Sequence, residues 1–244
     1  MRLFAFLVVT VNHGRASPVF RKDPPTVRLL LGAPYMNTTA TRFLYLARHG
    51  EASADEDAGE LTANGRRQAE LLGDRLRDVP LAAIHHGPLP RAAATARLIG
   101  DRLKEVPVRA AEEAGDYVPY VPGQAELPAD AADRLLAFLA PVTPDEREQG
   151  AALARAAQER FTGPVAGDEV RHELVVTHAF LIGWLVRAAL DAPPWRWLGL
   201  NPGNAALTVI RYTPGRPSAV LLFNDMAHLP AELRWTGFPP ELRG

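Results

Sequence analysis

The fold class that this sequence predicts is α/β: a three-layer sandwich with a mostly parallel central sheet and helices on both faces. Three observations carry it. From Arg42 onward, short apolar runs alternate with segments of helical periodicity, the pattern of a covered, mostly parallel sheet. "HELVVTH" (172–178) reads as a strand of the fully buried type. "AFLIGWLVRAAL" (179–190) is apolar nearly all round, so that helix must be well covered.

The elements follow in order. "RFLYLA" (42–47) is an apolar strand. "LTANGRRQAELLGDRLRDV" (61–79) is a helix, with Thr62 at its N-cap and Ala69, Leu72, Leu76 and Val79 at helical spacing. "AAIHH" (82–86) is a short strand. "PLPRAAATARLIGDRL" (88–103) is a helix with proline near its start. "VPV" (106–108) is a brief strand. Residues 109–145 are irregular and Pro-rich, with one helix near 130–140. Residues 145–161 form an amphipathic helix. After the strand and helix of 172–190, "AALTVIRY" (205–212) and "AVLLFN" (219–224) close the sheet as a pair. There is no internal repeat and no low-complexity tract.

The chain has 244 residues, 47% hydrophobic and 23% charged, the profile of a soluble globular protein with room for one α/β core. A formal net charge of −1 gives no electrostatic pull toward nucleic acid or an anionic membrane. Of the 27 basic residues only Lys22 and Lys104 are lysine. The arginines are spread over the whole chain, so a single arginine marks no site. With no cysteine, disulfides, Cys nucleophiles and Cys-based metal sites are excluded, and no His/Asp/Glu cluster has metal-ligand spacing.

Residues 1–41 read as an N-terminal extension, with the main domain at 42–244. "LFAFLVVTV" (3–11) is too short to span a bilayer. It has the length of a signal-peptide core, and "GRA" (14–16) is a small-x-small cleavage site. Its positive flank is only Arg2, and Met36 precedes the first core strand. An appendage or misassigned start, an export signal and an extra strand are the three readings. The expected location is the cytoplasm, with export as the competitor.

Ligands of open α/β sheets bind beyond the carboxyl ends of the strands. Arg48 and His49 follow the first strand. His178 ends "LVVTH", His85 and His86 end a third strand, and Arg91 opens the next helix. Groups able to be cationic thus converge on one sheet edge, where a helix N-terminus adds N–H groups. Such an edge suits a dianionic phosphoryl group.

These segments resemble the histidine phosphatase superfamily, which includes cofactor-dependent phosphoglycerate mutases, and the resemblance covers about 42–228. "ARHGE" (47–51) resembles its signature, and "LTANGRRQA" (61–69) its continuation. "GPLPRAAATA" (87–96) resembles the second-arginine segment, "VVTHAF" (175–180) the second-histidine segment, and "NAALTVIRY" (204–212) the late strand. The resemblance implies a phosphoglycerate mutase-like fold and catalytic roles. His49 would be the nucleophile that forms a phosphohistidine. Arg48 and Arg91 would bind the substrate's phosphoryl oxygens, and His178 would donate to them. The chemistry agrees: neutral imidazole has a lone pair near pH 7, and arginine offers a planar fork that never loses its proton. Two arginines and a protonated histidine would then stand in for a metal ion, and no cofactor is implied. The family's proton donor is an acid after the third strand. "AAEEAGDYVPYVPG" (110–123) occupies that place, with Glu113 first and Glu112 and Asp116 as competitors. His85, His86, His172 and His228 are read as scaffold.

Departures from the family refine the expectation. Thr177-His178-Ala179 replaces the usual Ser-His-Gly, and Gly87 and Ala94 stand where Ser and Gln are common. The mutases' Trp-Asn pair is missing after the signature, and the acids of "RHGEASADED" (48–57) would repel a second phosphate. The favoured function is therefore a metal-independent phosphomonoesterase acting on a phosphorylated small molecule or phosphoprotein. The alternatives are a phosphoglycerate-type mutase and a catalytically silent phosphate-binding module. "EEAGDYVPYVP" (112–122) also somewhat resembles the Pro-rich loop of the superfamily's mitochondrial protein phosphatase, which points to a bulky substrate.

Overall fold

A computed structural model describes residues 38–53 and 59–238 of the chain. The apolar run at 3–11, the "GRA" site and the acids Asp55, Glu56 and Asp57 lie outside the described residues. The structural unit to which the described residues belong begins at Asn37. Before Arg42, where the apolar pattern starts, β1 (Thr39–Ala40) already pairs antiparallel with β5 (Val165–Ala166).

The central sheet is built in chain order from β2 (Arg42–Arg48), β3 (Leu81–His86), β4 (Val108–Ala110), β6 (Arg171–Thr177), β7 (Leu207–Tyr212) and β8 (Ala219–Asp225). Their spatial order is β4-β3-β6-β2-β7-β8. The first four are mutually parallel, while β7 and β8 join antiparallel. The strand expected at 106–108 begins two residues later. Pro107 has no N–H to give the ladder and serves only as the acceptor for Ile84 N at 2.9 Å.

Period-2 alternation divides β2 between two cores. Leu44 and Leu46 face α4 (Pro144–Phe161) and α5 (Ala179–Ala189), where they pack with Ala157, Phe161, Leu181, Ile182 and Leu185. Ala47, with Phe43 and Tyr45, joins the opposite core. There α1 (Ala63–Arg75) and α2 (Pro90–Gly100) bring Leu72, Ala92, Ala96 and Ile99. Each fully buried leucine contributes about 1.5–3 kcal/mol in transfer free energy, so a one-residue register slip would be costly on both faces. α5 buries Leu181, Ile182, Gly183, Trp184, Leu185 and Val186 in succession, as its all-round apolar sequence requires.

The helix starts are set locally. Thr62 Oγ1 accepts from Gly65 N at 3.0 Å. Thr143 and Glu146 form a reciprocal capping box at α4, with Pro144 at the first position. Between β4 and α4 the chain is irregular except for α3 (Ala132–Leu139) and two short 3₁₀ turns, Glu112–Ala114 and Gln124–Glu126.

Candidate active site

Register places the site. In the parallel β2–β6 pair, Arg48 is opposite Thr177, so the residues that follow, His49 and His178, leave the sheet side by side. His49 N donates to Thr177 O at 2.9 Å, and the two imidazole rings lie 5.0 Å apart. β3 ends at the same edge and delivers Arg91 in the first turn of α2.

The cavity at this edge has a volume of about 310 Å³ and is lined by Arg48, His49, Glu51, Arg91, Asp116 and Asn204, among others. His49 is buried. Its Nδ1 lies 2.7 Å from Gly50 O, which requires the proton on Nδ1 and leaves the lone pair on Nε2. Arg91 Nε donates to that Nε2 at 3.2 Å. Burial above all, then His178, Arg48 and Arg91, holds the His49 pKa down to about 3, against a weaker upward pull from the Gly50 carbonyl. The ring is therefore neutral at pH 7.

His178 is 1% exposed, and neither ring nitrogen has a hydrogen-bond partner. Asp116 Oδ2 lies 3.4 Å from its Nδ1, without the alignment of a hydrogen bond. Burial, then Arg91 and Arg48, lowers its pKa to about 3. The expectation of a protonated histidine is thus corrected for the free pocket, where His178 is neutral at pH 7. A dianionic ligand would offset the two guanidinium charges and draw a proton onto it. Arg48 donates Nη1 to Pro202 O at 3.0 Å, while its Nε is buried with no partner. An unpaired guanidinium donor beside an imidazole with an unpaired N–H is able to take anionic oxygens.

The acids divide differently from the expectation. Glu113 points away from the cavity, with Oε1 2.5 Å from Arg160 Nη1 on α4. Arg160 continues to His85 Nδ1 at 3.3 Å, so Glu113 ties its turn to the helix below. Asp116 is the acid of residues 110–123 that lines the cavity. Its Oδ2 accepts from Arg91 Nη2 at 2.7 Å. Glu112 is exposed and does not line the cavity.

The scaffold around His49 includes residues the motif reading did not single out. Gln68, fully buried in α1, accepts from Glu51 N at 2.8 Å and donates to Leu233 O and Thr236 Oγ1, each at 2.8 Å. Thr95 Oγ1 accepts from Gly50 N at 3.0 Å, and Asn204 Nδ2 donates to His49 O at 3.1 Å. Gly65 lies so close to Glu51 that a Cβ would sit 2.0 Å from its carbonyl oxygen. The signals were the Gly and Gln of "LTANGRRQA" and the Asn opening "NAALTVIRY". Of the departures, Thr177 keeps a polar contact by donating Oγ1 to Ala114 O at 2.7 Å. At Gly87 a side chain would strike Ala114 O at 2.3 Å. Among the described residues the other histidines do not line the cavity: His86 meets Gly87 O, His172 stacks on Phe43, and His228 meets Ala205 O.

A sequence model of the histidine phosphatase superfamily (branch 1) matches residues 44–225. The mitochondrial serine/threonine-protein phosphatase Pgam5 of Caenorhabditis elegans is 32% identical over 198 residues, spanning 79% of this chain and 66% of that protein. The human PGAM5, also named mitochondrial, is 28% identical over 211 residues, spanning 79% and 65%. The chain thus spans slightly less than two thirds of the length of these relatives. A phosphoglycerate mutase from Plasmodium falciparum aligns with TM-score 0.51 at 20% identity, over 79% of this chain and 96% of that one. A phosphoserine phosphatase from Entamoeba histolytica aligns with TM-score 0.52 at 22% identity, over 78% and 100%. At such identities the two structures bear on the fold alone, and they agree with the α/β sandwich. The expectation of a cytoplasmic location gains no support from relatives named mitochondrial.

Proposed function

The chain belongs to the histidine phosphatase superfamily, and we propose that it is a metal-independent phosphomonoesterase that removes phosphate from phosphoserine or phosphothreonine of proteins through a phosphohistidine on His49. The observation that carries this reading is the fixed tautomer of His49, with Nδ1–H on Gly50 O and Nε2 aimed at the Arg91 guanidinium. The substrate class rests on relatives named serine/threonine-protein phosphatases.

In the proposed reaction the phosphoryl oxygens take the donors of Arg48 and Arg91 and a proton-bearing His178. Arg91 turns from Nε2 to the ligand, and the freed lone pair attacks phosphorus. The bond to the seryl or threonyl oxygen breaks, and Asp116 gives that oxygen its proton. In the proposed step Asp116 enters as the carboxylic acid and ends as the carboxylate. Water then attacks the phosphohistidine, Asp116 takes its proton, and inorganic phosphate leaves. The guanidiniums supply the charge compensation that phosphoryl transfer needs. Hydrolysis is favoured over mutase chemistry because the lining cations among the described residues, Arg48 and Arg91, both serve one phosphoryl site, and Glu51 shares the cavity.

The test is His49→Ala with p-nitrophenyl phosphate and a phosphoserine peptide. Activity should vanish while the fold is kept. A labelled phosphopeptide quenched without acid should leave phosphate on His49 of the parent. Vanadate should inhibit, because its five-coordinate form resembles the transferring group, and EDTA should not. Substantial activity in the alanine variant refutes the mechanism, and an inert parent that binds phosphate would favour the silent module.

A further inference from the structure

A second cavity, of about 490 Å³, adjoins the catalytic one, and Asp116 lines both. Beyond Asp116 its wall carries Tyr117, Val118, Val142, Leu153 and Phe180. We propose that this groove seats an apolar side chain of the phosphoprotein, one to three residues from the phosphorylated serine or threonine. The inference rests on the phosphomonoesterase reading and adds a sequence preference to it.

The position follows from Asp116. The acid that protonates the leaving oxygen marks the side of the cavity from which the rest of the substrate departs. An extended peptide advances about 3.3 Å per residue, so a groove that starts at Asp116 receives a near neighbour of the phospho-residue. The volume lies in the range of ordinary ligand pockets.

The chemistry of the occupant follows from the lining. Among the described residues no cation lines the groove, so a second phosphate finds no partner in them. Its other carboxylate, Glu146, caps α4: it accepts from Thr143 N at 2.8 Å and from Thr143 Oγ1 at 2.9 Å. Its Oε2 is therefore engaged by the helix cap. Apart from Gln149, what remains is apolar and aromatic surface. Phe138, 55% exposed, packs edge-on to Phe180 with centroids 6.1 Å apart. The apolar surface thus continues past the groove onto Phe138, where a peptide chain has further side chains to place.

The groove is preformed. At Gly150 of α4 an added Cβ would meet Val118 O at 2.2 Å, so the helix rests directly on the 117–118 backbone. Trp197 Nε1 donates to Tyr120 O at 2.9 Å and pins the same segment from α5's side. A rigid apolar seat gains affinity without an ordering cost.

The experiment uses the full chain and a set of phosphoserine peptides in a glycine–serine background, with a single leucine or phenylalanine moved from three residues before to three residues after the phosphoserine. At one position kcat/KM should exceed that of the unsubstituted peptide by about tenfold or more. Leu153→Gln and the surface change Phe138→Ser should each shrink that ratio by at least about threefold, with thermal melts confirming that both variants fold. Turnover without positional preference, or a preference untouched in both folded variants, overturns the inference and leaves the phosphatase reading standing. Failure of the parent to hydrolyse any peptide or p-nitrophenyl phosphate overturns that reading itself. Leu153-dependent hydrolysis of small apolar phosphate esters, with peptides untouched, overturns the peptide occupant.

Discussion

Asp116→Asn tests Asp116 as the proposed proton donor against its sequence neighbour Glu113, and its effect can be worked out from two contacts. Asp116 Oδ2 sits 2.7 Å from Arg91 Nη2 and 3.4 Å from His178 Nδ1, so it competes with a phosphoryl dianion for one guanidinium. The amide keeps the shape and loses both the transferable proton and the charge. General acid catalysis contributes about 10²–10⁴-fold when the leaving group is poor. Phosphoserine peptides should therefore slow by that factor, while p-nitrophenyl phosphate, whose phenolate leaves unaided, should change little. Loss of the charge should act in the opposite direction on binding. Two unit charges about 4 Å apart repel by roughly 1–4 kcal/mol between bulk water and a protein-surface dielectric. Asp116 is 36% exposed, which selects the low end, so vanadate should bind about fivefold more tightly. Glu113→Gln should instead lose its pairing with Arg160 and lower stability by about 1 kcal/mol, with no dependence on leaving group. The assays are steady-state kinetics on both substrates, vanadate inhibition and thermal melts. Phosphopeptide turnover in Asp116→Asn near the parental rate, or a leaving-group-dependent loss in Glu113→Gln, refutes the assignment.

Three further outcomes are expected. Gly65→Ala should lower kcat by about 10²-fold, because a Cβ 2.0 Å from Glu51 O pushes the nucleophile loop by about 1 Å, a displacement of that cost in well-aligned sites; parental kcat and melting temperature would show that the loop tolerates it. His49 and His178 titrate near about 3 and His228 near about 4 in the fold, against about 6.5 in the unfolded chain. The unfolded state then binds more protons between these limits, so stability falls as pH drops from about 6.5, by roughly 1.4 kcal/mol per unit for each histidine. Urea midpoints at pH 7, 6 and 5 check this, and a flat profile would contradict it. His178→Gln keeps a donor but cannot gain a proton, so proton uptake on vanadate binding at pH 7 should drop relative to the parent when measured in two buffers of different ionisation enthalpy.

Why the convergence of Arg48, His49, Arg91 and His178 could be read from the sequence, while which acid lines the cavity could not, is a matter of what fixes each position. Arg48, His49 and His178 follow strands whose apolar runs are unmistakable, and the parallel register of Arg48 with Thr177 makes two such strand ends neighbours. Arg91 inherits its place from Pro90 at the start of α2, a local signal. Nothing comparable fixes Glu113 or Asp116. They lie on the 3₁₀ turn Glu112–Ala114 and just past it, where neither period 2 nor period 3.6 says which side chain faces the cavity. The choice is made by distant groups: Arg160 takes Glu113 from forty-seven positions away, and Arg91 takes Asp116 from twenty-five. Gln68 is the intermediate case. Its position in "LTANGRRQA" marked it, but its work, holding Glu51 N on one side and Leu233 O and Thr236 on the other, depends on a C-terminal segment 165 and 168 residues along. The cluster of Arg48, His49 and His178 is thus assembled from strand ends that a local pattern specifies. The acid and the groove beyond it depend on long-range pairings across an irregular segment, so a related chain could change its substrate there while leaving that cluster intact.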